Sequence, residues 1–362
     1  MATEPRRQHD GPYRNLPDRA VWGQSVGRRP IETIFPVDEH TAPLARDTRV
    51  ASAGSCFAQR IAEHLGGLGL DYLVTEPGPA FLAPDDARRL GYGVYSARYG
   101  NVYTAAQLVQ LAERAFGHFE PAEPVWAEGE RFVDPFRPGI AAAGFVSPEE
   151  CLEDRSQHLA AVRTLLLTAD VLVFTLGLTE AWRCRADGAM LPVCPGAGHG
   201  GTFAPSRYEF VNFRVDEVVD HLDRFVTLAR THNPELRLIL SVSPVPLVAT
   251  CSDRHVLTAT AGSKAVLRVA CDEIRRRHER IDYFPAFEIV QIGGPDWAFE
   301  SNRRAVKPTA VRHIMDCFAL QFGLEPAREP LASIPRPAPS APAVVCDEDE
   351  IVALLARERN PR

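Results

Sequence analysis

The chain has 362 residues, 45% hydrophobic and 24% charged, with a formal net charge of −7. That balance is ordinary for a globular protein of one large domain or two small ones, and it argues against a nucleic-acid footprint, for which no basic stripe is present either. No apolar run reaches the roughly 18 residues of a membrane-spanning helix, and the opening MATEPRRQHDGPYRNLPDRAVW lacks the apolar stretch of a secretory leader, so no membrane is expected as a partner and a cytoplasmic location is expected.

In chain order, residues 1–45 are rich in Pro, Arg and Asp and show no period. They are expected to form an arm that lies on the domain or is partly disordered. The domain proper is expected over 46–325, where short apolar segments alternate with amphipathic ones. Strands are predicted at 49–53, 71–74, 171–176, 237–243 and 282–287, and helices at about 56–66, 104–117, 147–168, 215–231, 259–279 and 309–322. Short strands alternating with helices imply a parallel sheet covered on both faces. A Pro/Ala-rich linker follows within 326–345, densest over 334–345. Residues 346–362 begin with an acidic cap and place Ile351, Val352, Leu354 and Leu355 on one face of a short helix, suited to docking on this domain or on a second copy in a homo-oligomer.

Open sheets of this kind bind ligands at the carboxyl ends of their strands, so those ends are the first place to look. After the first predicted strand comes Gly54-Ser55-Cys56, with two nucleophile types side by side at the start of a helix. A thiol there meets the positive end of the helix, which favours the thiolate, and the backbone N–H groups suit an oxyanion. Ser55 has an equally good role as the helix N-cap. After the third strand come Gly177, Thr179 and Glu180: glycine for close backbone approach, a hydroxyl donor, and a carboxylate to orient a base. The alternative for Thr179 and Glu180 is a plain helix cap. Gly100 and Asn101 are further candidate oxyanion donors, or an ordinary turn, and Thr104 is a plausible N-cap. Eight cysteines are scattered without metal-ligand spacing. Most are read as small buried apolar residues, and neither a metal nor a cofactor is expected.

Several blocks, AGSCFAQRIAEHL, YGNVYTAAQL, DPFRP, FTLGLTEAW, SVSPVPLVAT, GSKAVLR and DYFPAFEIV, stand in an order that resembles the GSCFA family over roughly residues 30–325. That resemblance implies a flavodoxin-like three-layer α/β/α sandwich similar to the SGNH/GDSL hydrolases, enzymes that cleave esters or move acyl groups. Laid on their motifs, Gly54, Ser55 and Cys56 take the places of Gly, Asp and the nucleophile. Gly100 takes the oxyanion glycine, Thr179 replaces an asparagine donor, and Glu180 follows it. The Asp-x-x-His that should precede the last helix falls on Asn302 and Ala305, which supply neither acid nor base. His313, eight residues beyond Ala305, is read as a helix-face or core histidine.

The expected function is therefore acyl transfer, or ester or thioester hydrolysis, through an acyl intermediate on Cys56. Ser55 N–H, Gly100 and Thr179 would stabilise the oxyanion, His255 would act as base, and Glu180 or Asp253 would orient it. His199 in the glycine-rich loop is a weaker base. Arg137 and Arg268 are candidates for an acidic substrate group or for internal ion pairs. The expected ligand is a small-molecule or glycan acyl substrate, with a thioester as possible donor. The alternative is a non-catalytic carbohydrate- or acyl-binding protein that has lost its base, with Trp182, Trp297, Tyr99 and Tyr103 as an aromatic platform.

Overall fold

The structure, a computed structural model, describes residues 11–37, 41–141 and 143–326. The linker over 334–345 and the terminal helix expected over 346–362 lie outside the described residues.

Ten strands are described: β1 (Arg49–Gly54), β2 (Asp71–Tyr72), β3 (Trp126–Glu128), β4 (Arg131–Val133), β5 (Val171–Leu176), β6 (Glu180–Cys184), β7 (Met190–Leu191), β8 (Tyr208–Asn212), β9 (Arg237–Val242) and β10 (Ile281–Phe284). The helices are α1 (Trp22–Ser25), α2 (Cys56–Leu65), α3 (Pro84–Arg89), α4 (Ala105–Ala115), α5 (Pro148–Thr168), α6 (Val215–His232), α7 (Val256–Arg277), α8 (Ala286–Gly293), α9 (Pro295–Ala298) and α10 (Pro308–Gln321). Five strands make one parallel sheet in the order β10-β9-β5-β1-β2. Read from the other edge, its strands run 2-1-3-4-5, the flavodoxin-like order.

Alternation along each strand feeds two separate cores. Leu172, Phe174 and Leu176 of β5, with Leu238 and Leu240 of β9, join Ala51 and Ala53 in a cluster with α4, α5, α6 and α7. Val171, Val173 and Ile239 turn the other way, into a cluster with α2, α8 and α10. Because both faces are covered, all six residues of β5 are buried, which is why it reads as an unbroken apolar run. The fold is thus a three-layer α/β/α sandwich.

Local chemistry starts the helices where expected. Thr104 caps α4 in a reciprocal box: its Oγ1 accepts from Gln107 N at 3.1 Å, and Gln107 Oε1 accepts from Thr104 N at 2.9 Å. Ser147 caps α5 by accepting from Glu150 N, and Pro148 holds its first position. Three expectations need correcting. The predicted strand over 282–287 stops at Phe284, because Pro285 has no N–H to extend a ladder and instead stands at the N-cap of α8. The helix-cap alternative for Thr179 and Glu180 fails, because Glu180 opens the strand β6. The glycine-rich loop that holds His199 leads directly into β8, which pairs antiparallel with β6 and is not among the predicted strands. β6, β7 and β8 make a small sheet beginning at the carboxyl end of β5, packed with the β3–β4 hairpin through Trp126, Phe136, Leu191 and Tyr208.

The described part of the arm lies on α10 and the sheet edge. Leu44 N donates to Phe322 O, Arg237 Nη2 donates to Ala42 O, and Ile34 O faces His313 Nε2 at 3.0 Å.

Candidate active site

The site is built on glycines. Gly54 ends β1 at φ +145°, and a Cβ there would meet Thr175 O at 2.5 Å, so only glycine keeps β1 and β5 in register at this point. Ser55 follows in an extended conformation, and Cys56 is the first residue of α2. Gly177, just past β5, lies flush against this turn: a Cβ on it would come 2.8 Å from Ser55 Cβ.

The loop before α4 crosses between the two strand ends. Val102 N donates to Gly54 O at 2.8 Å, and Gly177 N donates to Tyr103 O at 2.8 Å. Asn101 is held by its oxygen: Oδ1 accepts from Gln59 Nε2 at 3.0 Å and from the Tyr95 hydroxyl at 2.8 Å. That pins the amide with its Nδ2 end turned away from both. Gly100, in the left-handed region at φ +66°, lines the cleft beside α2 together with Asn101 and Gln59.

In this topology the connection after β1 leads to β2 on one side, while the chain after β5 reaches its next strand of this sheet, β9, on the other side. The carboxyl ends of β1 and β5 therefore form the switch point where open α/β sheets leave a crevice. Gly54-Ser55-Cys56, Gly100-Asn101 and Gly177 meet there.

Other candidates serve structure. The expected cap role of Ser55 is not realised: its Oγ makes no cap hydrogen bond and is buried without a partner. Its N–H is not an oxyanion donor either, because it donates to Thr175 O at 3.1 Å and extends the sheet. The Thr179 hydroxyl donates to Asn212 Oδ1 at 2.7 Å, tying β5's exit to β8, and its N–H donates to Ser263 Oγ. Glu180 accepts from Thr250 Oγ1 at 2.7 Å; burial raises its pKa, partly offset by that hydrogen bond. His255 is exposed and caps α7, its Nδ1 accepting from Leu257 N at 3.2 Å, so that nitrogen is committed away from Glu180. Asp253 is exposed on the same loop.

Asn302 and Ala305 sit in an exposed turn between Phe299 and Val306. There Asn302 Oδ1 accepts from Arg304 N and Ala305 N. His313 is buried against Ile34 O and Trp297, as a core histidine. The four aromatics form no common platform: Tyr99 and Tyr103 are buried, Trp182 packs edge-on against Phe203 and Phe210, and Trp297 donates to Glu32. Arg268 pairs with Asp272 and Glu288. Arg137 pairs with Asp134 and Asp154 and also forms part of the cleft wall.

One ionisable group here was not singled out by the sequence reading. Lys264 of α7 is 1% exposed, and its Nζ donates to Gly177 O at 2.6 Å. The signal was present in the GSK block, but a lysine in a helix ordinarily reads as a solvated charge. Among the described residues no group of three or more His, Cys, Asp or Glu is arranged to hold a metal.

The sequence pattern of the GSCFA family matches residues 49–318, three quarters of the chain. The chain belongs to the GSCFA family. A search among curated proteins gives no match. Among solved structures, this GSCFA chain is similar to a carbohydrate esterase family 2 enzyme plus carbohydrate binding domain from Corynascus thermopiles (Myceliophthora fergusii). The likeness is at 14% identity and a TM-score of 0.26, over 78% of this chain and 68% of that one.

Proposed function

We propose that this GSCFA protein is an SGNH-like acyl-transfer enzyme, hydrolysing or transferring esters or thioesters through an acyl intermediate on Cys56. The observation that carries this reading is the position of Cys56: first residue of a helix, at the switch point of the sheet, beside two strand-end glycines.

In the proposed reaction the Cys56 thiolate attacks the acyl carbonyl, forming the S–C bond, and the carbonyl electrons move onto oxygen. First-turn amides of α2, with Gly100 N–H and Asn101 Nδ2, are the proposed donors to that oxyanion. Its collapse breaks the bond to the alkoxide or thiolate leaving group, which takes up a proton. Water or an acceptor hydroxyl then attacks the thioester, losing a proton and returning the thiolate. Lys264 is the proposed ionisable partner, since it reaches the carbonyl of the residue packed on Ser55. In that role its positive charge would favour the thiolate of Cys56, and its ammonium would hand a proton to the leaving group.

The test compares neighbouring residues. Cys56→Ala should abolish turnover of p-nitrophenyl acetate and its burst. Ser55→Ala should retain both, because the Ser55 hydroxyl is unpaired and its N–H remains. Lys264→Met should lower the rate of the burst and change its pH profile. Full turnover in Cys56→Ala overturns the reading. The absence of a base at Asn302 and Ala305 supports the second reading, a binding protein; no burst in the native protein together with saturable glycan binding would favour it.

A further inference from the structure

The cleft beside the first turn of α2 has a cationic wall. Arg88, Arg89 and Arg137 line it with Gln59, Gly100 and Asn101, and no carboxylate is among its lining residues. Gln59 lies one turn along α2 from Cys56, so the cleft opens next to the thiol's helix end.

Arg137 is the inner member of the three. Its side chain is 2% exposed. Nε donates to Asp134 Oδ2 at 2.9 Å and Nη2 to Asp154 Oδ1 at 2.7 Å, both partners lying outside the lining. Nη1 is buried without a hydrogen-bond partner. A buried guanidinium N–H left unpaired is costly, and its fork geometry suits the oxygens of a carboxylate or phosphate.

At the mouth Arg88 pairs with Glu63 at 2.6 Å and Arg89 with Asp86 at 3.4 Å, but the buried cluster behind Arg137 is short of negative charge. Arg98, Arg114, Arg137 and Arg155 gather around Glu76, Asp134 and Asp154. The remaining titratable member, His158, is held neutral by burial and by Arg137, which push it down to about 4. Four guanidiniums thus face three carboxylates, and Arg114 Nε is a second buried donor without a partner. A surplus buried cation costs free energy that an incoming anion offsets.

We propose that this cleft is an anion subsite, in which a phosphate or carboxylate group of the substrate seats on Arg137 Nη1 with Arg88 and Arg89 at the mouth. The assignment of that anion to an acyl substrate rests on the reading of Cys56 as nucleophile; the binding of an anion does not.

The experiment is therefore run first on Cys56→Ala, full-length, by calorimetric titration with inorganic phosphate and, separately, with acetate. Saturable binding of one of them is expected. It should weaken at least tenfold in Arg137→Gln and about threefold in Arg89→Glu. Arg137→Gln breaks two buried ion pairs, so Arg89→Glu, on a side chain 72% exposed, reads the mouth without opening the core. Phosphate binding identifies a phosphorylated substrate, and acetate binding a carboxylated one. On the native protein, alkylation of Cys56 by anionic iodoacetate should gain at least tenfold over neutral iodoacetamide relative to the same ratio for free cysteine, and the bound anion should remove that gain. No saturable binding of either anion, or binding indifferent to both arginine variants, overturns the proposal. If the anion binds in the native protein while Cys56→Ala keeps full turnover, the subsite stands and the nucleophile reading falls.

Discussion

At Gly54 one hydrogen atom decides whether β1 and β5 can pair up to the start of α2. Any Cβ there meets Thr175 O at 2.5 Å, on a backbone at φ +145°. Gly54→Ala should cost about 3 kcal/mol or more, from steric strain and a lost register, read as a lowered urea midpoint. His158 makes a prediction about pH. Burial and Arg137 hold it near pH 4 against an ordinary value of 6.5. Its neighbour Glu76, which burial alone would raise, is held below its ordinary value by the hydrogen bond with His158. Between pH 6.5 and about 4 the unfolded chain binds a proton at His158 that the folded chain does not. Stability is therefore full above pH 6.5 and falls as pH drops toward 4, by about 3 kcal/mol from this residue. Urea midpoints measured across that range should show the slope, and His158→Gln should flatten it.

Elements were legible where local chemistry and periodicity agreed. The central strands and the long helices α4, α5, α6 and α10 fall within a residue or two of their sequence readings, because cap residues such as Thr104 and Ser147 mark the starts. Thr104→Ala removes the Oγ1 half of the box with Gln107, while the backbone N–H of residue 104 keeps its bond to Gln107 Oε1, and should cost about 1 kcal/mol, measurable as a loss in thermal stability. The small sheet was not legible. β7 has two residues, and β6 and β8 are separated by a glycine-rich stretch. Gly201, which packs against the Trp126 ring, looks in sequence like any loop glycine. Those strands are stabilised by pairing with each other and by the cluster around Trp126, neither of which leaves a local period.

Over the whole molecule, segments distant in sequence converge on one strand-end crevice: 54–56, 98–104, 177–180 and 263–264. The arm contributes to the frame that holds them, burying Ile34 and Leu44 against the α10 side. Deleting residues 1–46 re-exposes that apolar surface, at roughly 1.5–3 kcal/mol for each of the two side chains. Such a loss should lower the melting temperature by roughly 5–10 °C, with the α/β signature retained in circular dichroism.

By itself the sequence determined the alternation of strands and helices, and through it the parallel sheet and the turn at Gly54-Ser55-Cys56, because periodicity, caps and glycines act between near neighbours. It also carried the family blocks. Which polar groups are already engaged was decided only by tertiary structure. The Ser55 N–H turned out to extend the sheet, Thr179 to tie two strands, and His255 to cap a helix, while Lys264 and the unpaired Nη1 of Arg137 came to the site from elsewhere in the chain. A hydrogen bond is fixed by distance in space, and residues far apart in the chain carry no local record of it.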